Sequence, residues 1–127
     1  LVGLDLRNGQ YVWQQPLSTH RDLAAADGNV FAVDADDHVL AFRGSDGVAL
    51  WRQQALQGRR LTGAAAVGDY LLVGDFAGYL HLLRRSDGEI VGRRRLDRAG
   101  IITTPVVDDG MVFVQGRSGH VAAYRIE

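Results

Sequence analysis

Apolar residues run along this chain in short stretches that alternate with polar ones at a period of two, and no segment repeats its apolar positions at the 3.6-residue spacing of an amphipathic helix. In "LDLRNGQYVW", residues 4–13, alternating positions flank Asn8-Gly9 and the run closes on Trp13. The same arrangement returns as "FRGSDGVALW" at 42–51 and as "LRRSDGEIVG" at 83–92. Asn-Gly and Asp-Gly between alternating apolar residues are a strong hairpin signal, because the turn demands positive φ that glycine and asparagine supply cheaply. The three hairpins pair Gly9 with Gly47 and Gly88, and Trp13 with Trp51; the third copy carries Gly92 where the tryptophan belongs.

The segments between the hairpins repeat as well. "AAADGNVFAVDADDHVLAF" (24–42), "AAAVGDYLLVGDFAGYLHL" (64–82) and "PVVDDGMVFVQGRSGHVAAY" (105–124) each read as a small-residue strand, a turn, a β-branched or aromatic strand, a second turn and a third strand. Adding the strand after the Gly turn gives four strands per period, and the glycine spacing falls close to the roughly 40–45 residues of a propeller blade. The expected fold is all-β: a β-propeller of about three blades of four-stranded antiparallel sheet, without helices. With strands A to D counted from the inside outward, residues 1–17 supply C and D of one blade. Residues 18–57 and 58–98 each supply a full blade, and 99–127 supply A to C of a closing blade, thirteen strands in all. The missing fourth strand is expected from sequence upstream of Leu1, since the opening residues already serve their own blade. Tryptophan at the end of a D strand is expected to staple neighbouring blades, burying about 150–250 Å²; cofactor stacking is the less favoured role. Gly92 should leave one joint less tightly held unless Tyr79 or Leu83 fills the gap.

Composition narrows the function. The 127 residues are 46% hydrophobic and 23% charged, the balance of a globular chain. No stretch approaches the roughly 18 unbroken apolar residues of a membrane helix, and the opening residues have neither a basic leader nor an apolar signal core. Cysteine is absent, which excludes zinc or iron–sulfur sites built on thiolates. A formal net charge of -1 argues against nucleic acid as the main partner. Every basic side chain is an arginine.

Candidate chemistry is sparse. Asp34, Asp36 and Asp37 in "VDADDHV" suggest a calcium loop, but Val39 and Ser45 occupy the positions where an EF-hand loop requires glycine and glutamate, so a solvated hairpin loop is favoured. His20, His38, His81 and His120 show no pair at metal spacing; His38 and His120 are equivalent in the repeat and are expected to make hydrogen bonds at the rim. Ser45-Asp46 and Ser86-Asp87 sit where turns favour these residues, with no base implied beside them. Arg84, Arg85, Arg93, Arg94, Arg95 and Arg98 outnumber Asp87, Glu89 and Asp97. Arg93 to Arg95 fall on an outermost strand, where charge discourages edge-to-edge pairing; an acidic partner or anionic lipid is the second reading. The segment "QGRRLTG" (57–63) joins two blades on a face where partners dock, and Arg59, Arg60 and Leu61 are its candidate contacts.

The D-x-x-x-G-x-x-x-W repeat resembles the PQQ-type repeats of propellers related to quinoprotein dehydrogenases. The ordered series "LDLRNGQYVW", "VDADDHVLAF", "LLVGDFAGYLH" and "GHVAAYRI", with its tryptophan-less penultimate unit, resembles the C-terminal third of the BamB family of outer-membrane β-barrel assembly lipoproteins. That resemblance implies an eight-bladed periplasmic propeller, tethered to the outer membrane by a lipidated N-terminal cysteine. It implies a scaffold that binds the POTRA domains of the central assembly subunit, with no catalysis, no cofactor and no nucleic acid. This chain covers about three of those blades and lacks the lipidation cysteine. It also lacks the earlier interblade loops associated with subunit binding, so no partner-binding residue carries over. The other readings are a fragment of a PQQ-dependent quinoprotein dehydrogenase, which would bind the quinone in a calcium-dependent way, and an unrelated propeller adaptor. In either case three-odd blades should self-associate or join the remainder of their own propeller, because two sheet faces are left uncovered.

Overall fold

The computed structural model describes residues 1–4, 7–8, 10–17, 19 and 21–126; Gly9 and His20 therefore lie outside the described residues, as do the side chains of Val2, Leu4 and Tyr11. The described chain contains β-strands and no helix, as the period-two pattern implies. The strands are β1 (Val2–Leu4), β2 (Tyr11–Gln14), β3 (Ala24–Ala26), β4 (Asn29–Val33), β5 (Val39–Arg43), β6 (Ala49–Gln53), β7 (Ala65–Val67), β8 (Tyr70–Gly74), β9 (Tyr79–Arg84), β10 (Ile90–Arg95), β11 (Val106–Asp108), β12 (Met111–Gln115) and β13 (Val121–Arg125). They form a β1-β2 pair, two four-stranded sheets in the orders β3-β4-β5-β6 and β7-β8-β9-β10, and a three-stranded sheet β11-β12-β13. All pairings are antiparallel between sequence neighbours. The short strands β3, β7 and β11 are the inner ones, and β7 adjoins both β3 and β11.

The core lies between sheets. Phe31 and Val33 of β4, Val39 and Ala41 of β5, and Leu71 and Val73 of β8 bury together with Leu83 in the first interface. Leu72, on the opposite face of β8, packs with Leu80, Ile101, Val112 and Val114 in the second. Strand β8 is thus apolar on both faces because both are covered. On β12, Val112 and Val114 are buried while Phe113 between them is exposed, so its second face is open.

A β-bulge recurs where the third and fourth strands pair. Gly3 faces Trp13 while Leu4 faces Tyr11; Ala41 faces Trp51 while Phe42 faces Ala49; Leu82 faces Gly92 while Leu83 faces Ile90. The unpaired extra residues, Val12, Leu50 and Val91, are pushed outward and exposed. A bulge re-aims the residue that follows it, and that residue is the repeat tryptophan or its glycine replacement. Trp13 donates its indole N–H to the Gly44 carbonyl at 2.7 Å, and Trp51 donates to the Arg85 carbonyl at 2.9 Å. Each ring lies flat against a turn glycine of the next sheet: a Cβ on Gly47 would fall 2.5 Å from Trp13, and one on Gly88 2.4 Å from Trp51. Both glycines also hold positive φ, 72° and 76°, so the turn and the staple require the same residue. Gln15 and Gln53 complete each joint by donating to the Gly47 and Gly88 carbonyls at 2.6 and 2.9 Å.

The third joint differs. Nothing lies within 4 Å of a Cβ built at Gly92, and a groove of about 210 Å³ opens there between Leu72, Leu80, Leu82, Arg94, Tyr124 and Ile126. Neither expected substitute fills it: Leu83 is buried in the other interface, and Tyr79 lies beneath Arg93 and Arg95.

Candidate functional site

The topology gives two loop ends. At one end, hairpin turns carry arginines that meet carboxylates: Arg43 with Asp46 at 3.0 Å, Arg84 with Asp87 at 2.9 Å and Glu89 at 3.1 Å, and Arg85 with Asp27 at 2.7 Å. Between the two four-stranded sheets Asp27, Arg84, Arg85 and Ser86, with Asn29, Asp69 and Tyr70, line an open groove of about 500 Å³. Asp46 and Asp87 close their turns by accepting from the Val48 and Glu89 N–H groups. The Val48 bond, helped by Arg43, holds the Asp46 carboxyl below its ordinary value. Ser45 and Ser86 are exposed turn residues, as their positions imply.

At the other end, carboxylates turn inward, and two of them, Asp37 and Asp97, hold one blade to the next. Asp37, at φ 64°, accepts from the Leu61 and Arg60 N–H groups at 2.9 and 3.1 Å and from Arg21 at 2.7 Å. Asp75 is fully buried and accepts from the Tyr79 N–H at 2.9 Å, from His81 Nε2 at 2.7 Å and from Arg59 at 3.1 Å. Burial alone would raise its pKa, but these donors, His81 foremost, outweigh it and hold the carboxyl below the ordinary value. His81 is itself pushed down by burial, against the pull of Asp75 and with the nearby Arg59 and Arg93 charges adding to the shift. Asp97 accepts from the Ser118 hydroxyl and N–H and from the Ala99 N–H, the hydroxyl bond being the main cause of its lowered pKa.

The three candidate contacts of the interblade loop separate. Leu61 is 4% exposed and packs in the first core interface, which corrects the expectation of an apolar side chain offered to a partner. Asp37 fixes its backbone N–H and thereby turns the side chain inward. Arg59 is tied to Asp75, while Arg60 stays exposed with its guanidinium 5.1 Å from the centre of the Phe76 ring. Phe76 is 38% exposed, and Arg117 covers it as well, at 4.9 Å.

The described histidines, His38, His81 and His120, do not converge. His38 is buried, with Nδ1 accepting from Arg52 at 2.7 Å and Nε2 against the Gln57 side-chain oxygen at 3.2 Å, whereas His120 is exposed. His81 is buried on β9 against Asp75. Asp34, Asp36 and His38 bring potential ligand atoms within 4.8 Å of one another. The Arg52 guanidinium occupies the His38 Nδ1 lone pair, and Asp34 Oδ1 already accepts two backbone N–H groups at 2.9 Å, so the trio reads as a hydrogen-bonded turn.

Antiparallel meanders joined outer strand to inner strand, with tryptophans stapled onto turn glycines of the next sheet, define a β-propeller of PQQ-like repeats. The chain belongs to the family described as outer membrane protein assembly factor BamB, whose profile matches residues 1–63 and 53–127. BamB of Shewanella oneidensis MR-1 is 40% identical over 122 residues, covering 96% of this chain and 31% of the relative. The crystal structure of BamB from Moraxella catarrhalis superimposes with a TM-score of 0.88 at 27% identity, covering 98% of this chain and 37% of that one. A quinohaemoprotein alcohol dehydrogenase from Pseudomonas putida HK5 superimposes at 0.71 with 20% identity, covering 90% of this chain and 20% of its own length, a likeness of fold alone. The chain spans about a third of the length of the curated relatives it matches.

Proposed function

We propose that this chain supplies the C-terminal blades of a non-catalytic scaffold for outer-membrane β-barrel assembly. It acts at the periplasmic face of the outer membrane and binds the POTRA domains of the central assembly subunit. The observation that carries this reading is the unbroken similarity, over 96% of the chain, to a protein named as an outer membrane protein assembly factor. The site chemistry supports it: Asp37 and Asp97 join one blade to the next, and the buried Asp75–His81 pair and His38 are engaged in hydrogen bonds within their own blades. The open face of β12 is assigned to the remainder of the same propeller, with eight blades in the ring and a lipid anchor at its N-terminus. In cells lacking the native protein, outer-membrane β-barrel proteins should fall in abundance and recover on complementation. The tagged native protein should co-purify with the barrel-assembly subunit. Normal β-barrel levels together with calcium-dependent quinone binding would replace this reading with a dehydrogenase.

A further inference from the structure

The loop end around Phe76 differs from the opposite end in how its charge is used. There, Arg43, Arg84 and Arg85 all meet carboxylates. Here, among the described residues, Arg60, Arg95, Arg98 and Arg117 have no carboxylate within ion-pairing distance, because Asp75 and Asp97 are turned inward. Three of these exposed guanidiniums are held in place. Arg60 and Arg117 stack on Phe76, and Arg95 Nε donates to the Ala77 carbonyl at 3.2 Å. The platform beneath is pinned by backbone bonds from the Phe76 N–H to the Arg59 carbonyl at 3.1 Å and from the Arg117 N–H to the Gly100 carbonyl at 2.8 Å.

We propose that this face is a docking site for an extended acidic segment of a protein partner. Carboxylates would meet the unpaired guanidiniums, and an apolar side chain of the segment would lie on the exposed edge of Phe76. Arginine and aromatic residues are the commonest interface anchors, and groups ordered before binding lose less entropy on complex formation. Phe76 is only 38% exposed and Arg60 and Arg117 both lie against it, so the face offers much charge and little apolar area to bury in a bilayer, which favours a peptide over a membrane. The proposal rests on the patch itself and holds whichever assembly partner the protein serves.

Fluorescence anisotropy of the native full-length protein with a labelled peptide alternating Glu and Leu, beside its Lys-Leu counterpart, tests it. The acidic peptide should bind preferentially and weaken as salt rises, and the doubly substituted Arg60→Glu, Arg117→Glu protein should lose roughly tenfold or more in affinity. Phe76→Ala should lose affinity with less change in salt dependence, and circular dichroism establishes that each variant is folded. If charge reversal disturbs folding, the salt titration of the unaltered protein decides. Equal binding of the two peptides, no binding of either, salt-independent affinity, or a preference for phosphatidylglycerol vesicles over the acidic peptide would overturn the assignment.

Discussion

Trp51 shows how one side chain can hold two sheets. Its ring covers Gly88, its N–H reaches the Arg85 carbonyl, and it packs 6.1 Å from Phe31 in a tilted pair. Trp51→Ala is expected to destabilise the native protein by about 3–5 kcal/mol in urea unfolding. Gly88→Ala should cost about 1–3 kcal/mol, since it combines ring displacement with strain at positive φ; a loss within experimental error in both would contradict the staple. The buried Asp75–His81 pair makes a second prediction. Both groups titrate lower in the folded state than unfolded, so the folded protein binds fewer protons and loses stability as pH falls. The loss should begin below about 6.5, as unfolded His81 protonates, and deepen below about 4 as Asp75 and Asp97 follow. His81→Gln keeps a donor towards Asp75 and cannot titrate, so it should abolish the upper limb of the stability–pH curve; an unchanged upper limb would exclude His81 as its source. Of these residues the tryptophans and turn glycines were legible in the sequence, because turn chemistry and repetition both mark them. Gln15 and Gln53, two places after each tryptophan, were readable by the same alignment and were missed. Phe76 and His81 carry no repeat signal: Phe76 depends on Arg117 from the next blade, and His81 on Asp75, brought to it only by the pairing of β8 with β9.

At the scale of the element, the strands were legible because a half-buried strand writes its period in the side chains. Strand β8 is apolar throughout and still reads as a strand, since its length and flanking turns fit one. The bulge ahead of each tryptophan was not legible: one inserted residue shifts the register without breaking the local pattern, and only the pairing of Ala41 with Trp51 and Phe42 with Ala49 exposes it. Leu61 was misjudged for a related reason, as a loop sequence does not record that Asp37 captures its backbone. The bulge also bears on Gly92, which follows Val91 in the same geometry and faces an open groove. Gly92→Trp should place an indole there and stabilise the joint by about 1–2 kcal/mol, seen as a raised melting temperature. A lowered one would mean that the groove cannot accept the ring.

For the molecule as a whole, stability is shared between neighbouring sheets, so each sheet needs a companion on both faces. The last sheet has none on one face: Val106, Phe113 and Val121, the last 67% exposed, form an apolar surface. The 127-residue chain expressed alone is expected to self-associate in light scattering, and a strictly monomeric, cooperatively melting species would contradict this. The same surface is the one assigned to the remainder of the propeller. The central claim, a scaffold of barrel assembly, is tested most directly by biosensor binding of the native full-length protein to the tandem POTRA domains of the barrel-assembly subunit. Saturable binding that survives loss of calcium and quinone is the predicted result; no binding at any concentration up to the solubility limit would contradict it.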